Sequence, residues 1–197
     1  MCGIVGVIGK NPVAYEVYLG LLGIKNRGTN SSGIITYNSE KSRFHRIVGA
    51  RGVDHTFSGF DFNKLYGNMG IGHNRYATSA SKDELYRDSQ PVLTDRPGFA
   101  LAFNGHLSAR DLKQKQVEEG WTFHTNCDVE FITHTLSQKL IDIKAYKAST
   151  KEEYINDKLF PALLEVMKEL DGYGSYSVVV IIDKMGLLAF RDPHGIR

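Results

Sequence analysis

Cysteine is scarce in this chain. Only Cys2 and Cys127 occur among 197 residues, neither in a CxxC pair nor beside a Cys/His ligand cluster. The two could form a single disulfide, but nothing marks the chain as secreted, and no disulfide framework or zinc-finger spacing exists. The seven histidines lack metal spacing too, so no metal and no cofactor are implied. Net charge is also small, +2, with Lys and Arg scattered between acids. No basic run tracks phosphates, which sets nucleic acid aside as a partner. The apolar start MCGIVGVIGK has no basic n-region and no small-residue cleavage site, and it is far too short to span a bilayer. A cytoplasmic protein with reduced thiols and no membrane contact is expected. Internal repeats, low-complexity tracts and interdomain linkers are absent from the sequence, so one domain over 1–197 is expected.

Two phosphate-binding patterns are missing as well. GIVGVIGK has glycines at 3, 6 and 9, not the GxGxxG spacing of a dinucleotide turn. A Walker loop would need Gly at position 4 and Ser or Thr at 11, where the chain has Ile4 and Asn11.

What is present is a strand-rich chain with amphipathic helices between. Residues 2–8, 34–37, 43–49, 69–78, 99–105, 175–183 and 187–192 read as strands, with Lys184-Met185-Gly186 turning the last pair. Asn11-Pro12 reads as a helix start, with Val13, Val17 and Leu21 on one face. Further helices are expected from Ser108 to about Glu118, over Asp128–Leu140, and after a Thr150/Glu153 capping box, with Leu159, Leu163, Val166 and Leu170 aligned. Residues 79–98 show no period and read as a long loop, the part from Ser79 to Gln90 as a lid. Strands clustered at both ends disfavour alternating βαβ units. They favour an α+β class, two mostly antiparallel sheets with helices outside in four layers, α/β/β/α.

The N-terminus carries the first chemical signal. A small second residue generally permits removal of the initiator methionine, and Met1 is expected to be removed, leaving Cys2 first. Its α-amine would titrate near ~7.7–8.0, within reach of its own thiol of pKa ~8.5. One residue then supplies nucleophile and proton acceptor. Taken alone, Cys2 reads rather as a small buried residue at a strand start.

Other polar segments follow in order: NRG with SSG (26–33), GHNRYAT (72–78), FNGHLS (103–108) and TNCDVE (125–130). In this arrangement the chain resembles the class II glutamine amidotransferases, which are N-terminal-nucleophile hydrolases. GNMGIGHNRYAT and the closing FRDPHGIR make it most similar to the glutaminase domain of glutamine phosphoribosylpyrophosphate amidotransferases. The likeness covers nearly the whole chain. It implies a four-layer sandwich of the N-terminal-nucleophile hydrolase type and an enzyme that hydrolyses the glutamine side-chain amide through a Cys2 thioester. Ammonia would pass to an acceptor site on another domain or subunit, in amidophosphoribosyl transfer for purine synthesis.

The resemblance also implies roles. Asn104 and Gly105 would form the oxyanion hole, although Asn-Gly alone reads as a tight turn. Arg75, helped by Thr78, would grip the α-carboxylate of free glutamine. Asp128 would take the α-ammonium, although alone it reads as a helix N-cap. Arg27, in the Arg27-Gly28 turn, would brace the site. Asn26 and Phe103 stand where histidine is frequent in the family, Asn30 where aspartate is, His106 where Asn or Glu is, and Cys127 where serine is. The rival reading is a non-catalytic glutamine-binding regulatory subunit, and a glutaminase subunit serving a different acceptor stays open beside it. Oligomeric state is open.

Overall fold

The computed structural model describes residues 1–76, 82–108, 110–125, 127–147 and 151–195. Strand β1 (Gly3–Ile8) leads to helix α1 (Ala14–Gly23), then to the hairpin β2 (Ser31–Asn38) and β3 (Arg43–Gly49). A short α2 (Val53–Thr56) precedes β4 (Met69–Arg75), and α3 (Lys82–Arg87) precedes β5 (Val92–Asp95) and β6 (Gly98–Leu107). Helices α4 (Arg110–Glu118) and α5 (Asp128–Asp142) follow. Then come α6 (Lys151–Tyr154), α7 (Phe160–Leu170) and the closing hairpin β7 (Gly174–Ile182) and β8 (Gly186–Arg191).

The strands form two four-stranded sheets, in the orders β1-β4-β2-β3 and β5-β6-β7-β8, with every pairing antiparallel. Three apolar clusters separate four layers. Ile35, Tyr37, Met69 and Ile71 of the first sheet meet Ala100, Ala102 and Ile181 of the second. Val13 at the N-cap of α1, with Val17 and Leu21 of the helix, covers the outer face of the first sheet with Ile34, Val53 and Phe57. Leu136 and Leu140 of α5, with Leu163, Val166 and Leu170 of α7, cover the second sheet over Phe103, Val178 and Val180. The expected α/β/β/α sandwich is the observed fold. Strand β2 is buried at every residue because both faces of its sheet are covered. Helix α1 approaches β4 so closely that a Cβ on Gly72 would stand 2.7 Å from Val17 Cγ1 and 2.8 Å from Leu21 Cδ1. No described helix is long and apolar enough to cross a membrane.

Several local expectations are corrected. Helix α1 begins at Ala14 with Val13 at its N-cap and no side-chain cap, so Asn11-Pro12 does not start it. The peptide N–H of Val13 instead donates to Gly67 O at 3.0 Å, tying the helix entry to the approach to β4. The segment 79–98 is not structureless: it holds α3 and β5. Residues 79–81 of the expected lid lie outside the described residues, while Asp88, Ser89 and Gln90 are buried at 7%, 0% and 3% exposure and belong to the core. Thr150 of the expected capping box also lies outside the described residues, and a wider turn at Ile155–Leu159 joins α6 to α7.

Candidate active site

Cys2 directly precedes β1, and Arg75 closes β4. The β1–β4 register pairs Gly3 with Asn74, so Cys2 lies beside Arg75 at one end of the first sheet. Arg27 Nε donates to the Cys2 carbonyl at 3.0 Å, fixing the nucleophile's backbone. The Arg27-Gly28 turn presses on the same strand end: a Cβ on Gly28 would stand 2.5 Å from the Arg75 carbonyl carbon and 2.7 Å from Asn74 O. Beneath it, Asn74 is buried, accepting from Ser32 Oγ at 2.8 Å and donating to Leu21 O at 2.9 Å. Polar strand ends are thereby held by buried hydrogen bonds rather than left to solvent.

His73 carries this end across to the second sheet. Its Nε2 lies 3.1 Å from Phe103 O, one residue before Asn104. Complete burial lowers its pKa from 6.5 to about 3, against the opposing hydrogen bond to Phe103 and with the Arg75 charge adding to the depression. The imidazole is neutral, and its Nε2–H donates to the carbonyl.

Strand β5 ends its pairing at Val92 opposite Leu101, so among the described residues the rest of that edge of β6 has no strand neighbour. Backbone groups alternate between the two sides of a strand. Phe103 N–H points to the open side and donates to Gln90 Oε1 at 2.8 Å, and Leu107 N–H does the same to Asp128 Oδ2 at 2.9 Å. Gly105 lies between them with the same parity, so its N–H is presented on this open edge. Asn104 and Gly105 are therefore ladder residues opposite Ser177 and Tyr176, and the tight-turn reading of this pair is corrected. Asn104 is 7% exposed, and its Oδ1 is buried without a hydrogen-bond partner.

The two expected substrate charges already have internal partners. Arg75 Nη2 is 3.2 Å from Asp88 Oδ2, and its Nη1 donates to Asp88 O at 3.0 Å and to Cys127 Sγ at 2.8 Å. The side chains are 15% and 8% exposed, so this is a desolvated pair and not a surface one. Arg75 Nε is buried without a hydrogen-bond partner. Asp128 is the first residue of α5, with Cys127 at the N-cap position, which corrects the N-cap reading. Its carboxylate holds Lys113 Nζ at 3.2 Å as well as Leu107 N–H. Burial pushes the Cys127 thiol up to about 11 against the lowering effect of Arg75, so it stays protonated. Thr78 lies outside the described residues. Sequence reasoning missed His73, Asp88, Gln90 and Lys113, because each acts through a contact distant in sequence that no periodicity marks.

No family model matches the chain. It is 34% identical over 201 residues to the amidophosphoribosyltransferase of Escherichia coli (strain K12), covering 100% of this chain and 37% of that protein. The amidophosphoribosyltransferase of Schizosaccharomyces pombe is 32% identical over 203 residues, with 100% and 36% covered. The structure of glutamine phosphoribosylpyrophosphate amidotransferase from B. subtilis, complexed with ADP and GMP, superposes with a TM-score of 0.77 at 23% identity, covering 100% of this chain and 38% of that one. The chain thus spans a little over a third of the length of these relatives. It is homologous from end to end to amidophosphoribosyltransferases over that third of their length, and its two antiparallel sheets between helices share the fold of the B. subtilis structure, which is consistent with a class II, N-terminal-nucleophile glutamine amidotransferase.

Proposed function

We propose that this chain is a glutaminase unit over 1–197 that hydrolyses the side-chain amide of free glutamine. The observation that carries the reading is the meeting at one end of the sandwich of Cys2, the Arg75 strand end and the open Asn104–Gly105 edge of β6. After removal of Met1, which is 63% exposed, the Cys2 α-amine takes the thiol proton. The sulfur attacks the amide carbon, and the negative oxygen is met by Asn104 Nδ2 and Gly105 N–H. Collapse of that intermediate returns the proton to the leaving nitrogen, which departs as ammonia and leaves a γ-glutamyl thioester for water to hydrolyse. Arg27 holds the nucleophile's carbonyl and does not react.

Arg75 receives the α-carboxylate, assisted by Thr78, and Asp128 receives the α-ammonium. Together these charges select a free amino acid over a peptide. Ammonia passes to an acceptor site on another domain or subunit of a cytoplasmic protein, where the likeness to amidophosphoribosyltransferases supports amination of phosphoribosyl pyrophosphate in purine synthesis.

Ammonia release from glutamine by the mature chain is the test. Asn104→Ala should lower kcat by roughly 10²–10³-fold with KM changed less, as loss of an oxyanion donor does. Binding of glutamine with no ammonia and no thioester, once Met1 is shown to be absent, would overturn the hydrolytic reading and leave a glutamine-binding regulator.

A further inference from the structure

We infer that Gln90 is a positioning residue for the oxyanion edge, its side-chain carbonyl standing in for the strand neighbour that β6 lacks beside Phe103. The inference rests on the glutaminase reading above and adds to it a residue that touches neither substrate nor nucleophile.

The geometry is specific. Beyond Leu101 the β5 side of β6 has no ladder partner among the described residues, and the N–H groups of Phe103, Gly105 and Leu107 face it in turn. An N–H buried there without an acceptor would rotate the strand or pull in water. Gln90 Oε1 takes the first at 2.8 Å and Asp128 takes the third at 2.9 Å. The central N–H, that of Gly105, is left pointing outward between two fixed neighbours. Satisfying the flanking donors and sparing the central one makes an anion site out of a strand edge.

Gln90 is itself held. It is 3% exposed, and Arg46 of β3 brackets it, with Nη2 donating to Ser89 O at 3.1 Å and Nε to Pro91 O at 3.0 Å. Ser89 Oγ bonds Leu85 O, closing the end of α3 onto the same segment. Two residues before Gln90, Asp88 grips Arg75. The short strut from Asp88 to Pro91 therefore touches both the strand that carries the carboxylate clamp and the strand that carries the oxyanion donors. A displacement of about 1 Å in such a supporting element costs on the order of 10²-fold in rate.

The test compares Gln90→Met, which removes the acceptor, with Gln90→Glu, which keeps an oxygen at the same reach. Steady-state glutaminase kinetics and backbone amide exchange at Phe103 and Gly105 are the readouts. Gln90→Met should lower kcat by roughly 10- to 100-fold while KM for glutamine stays within about threefold, and exchange at the Phe103 amide should rise while that at Gly105, which has no acceptor to lose, stays fast. Gln90→Glu should recover most of kcat and of the protection at Phe103. If Gln90→Met does not fold, Gln90→Asn, which withdraws the carbonyl by one methylene, carries the same expectation. An unchanged kcat in the methionine or asparagine variant, or equal losses in the methionine and glutamate variants, would overturn the positioning role. Absence of ammonia release from the unsubstituted chain would instead sink the glutaminase reading itself, and the role of Gln90 with it.

Discussion

Arg75 and Asp88 form a nearly buried ion pair, with Nη2 3.2 Å from Oδ2 and the Asp88 carbonyl accepting a second bond from the same guanidinium. Removing Asp88 leaves the Arg75 charge desolvated and unpaired, and removing Arg75 leaves Asp88 only the half-exposed Arg87 at 3.4 Å. Losing one partner of a buried pair costs about 3–5 kcal/mol, whereas replacing both with apolar residues costs far less. Arg75→Leu should therefore destabilise the chain strongly to urea, and Arg75→Leu with Asp88→Leu should recover most of the loss. KM for glutamine should stay raised in both, by an equivalent of ~2–5 kcal/mol, because the clamp is gone in each. Normal KM in the double variant would place the carboxylate clamp elsewhere.

A second prediction concerns Asp128 and Lys113, whose groups are 3.2 Å apart with side chains 15% and 29% exposed. Lys113 offsets part of the charge offered to the substrate ammonium. Lys113→Met should lower KM for glutamine by a few-fold, a change of ~0.5–1 kcal/mol. Asp128→Asn keeps an acceptor for Leu107 N–H but loses the charge, so the fold should persist while KM rises. A raised KM in Lys113→Met would mean that the lysine supports the site and does not compete for it.

Much of this arrangement was legible in the sequence. Alternation and apolar runs gave the strands, and the spacing of Val13, Val17 and Leu21 gave the face of α1 that is buried at 3%, 0% and 0% exposure. Cys2, Arg75 and Asn104 stood out as polar residues at or near strand ends. The segment 79–98 was misread because α3 is only six residues long and β5 four, too short to show a period. Asp88 and Gln90 were hidden for a further reason: their partners, Arg75 and Phe103, are 13 residues away in each case, on different strands. The Asn104-Gly105 pair was open to a turn reading because that dipeptide fits a hairpin, and pairing with β7 overrode the local preference.

The third prediction is a pH dependence. His73 has a folded pKa lowered from 6.5 to about 3, with burial as the main cause. Between those values the unfolded chain binds more protons than the folded one, so the stability tied to neutral His73 is complete above about pH 6.5 and lost as pH falls toward 3. Urea midpoints should drop over this window, and His73→Gln, which keeps a donor for Phe103 O, should show a shallower fall. Parallel pH profiles for the two chains would show that His73 does not govern the acid limb.

A fourth prediction uses the turn behind the nucleophile. Gly28→Ala forces a methyl against the backbone of Asn74 and Arg75, where contacts of 2.5–2.7 Å leave no room. Overpacking of this kind costs about 1–3 kcal/mol, and it displaces the strand end beside Cys2. Both the urea midpoint and kcat should fall. Loss of stability with full kcat would separate this turn from the chemistry.

The nucleophile itself is the most exposed point of the reading, and peptide mapping by mass spectrometry after labelling with a glutamine-like electrophile tests it directly. The expected product is a chain lacking Met1 and modified on Cys2, with no label in Cys2→Ala and none on Cys127, whose thiol is pushed up to about 11. Label on Cys127, label on a chain that retains Met1, or label that persists in Cys2→Ala would contradict catalysis by an N-terminal cysteine.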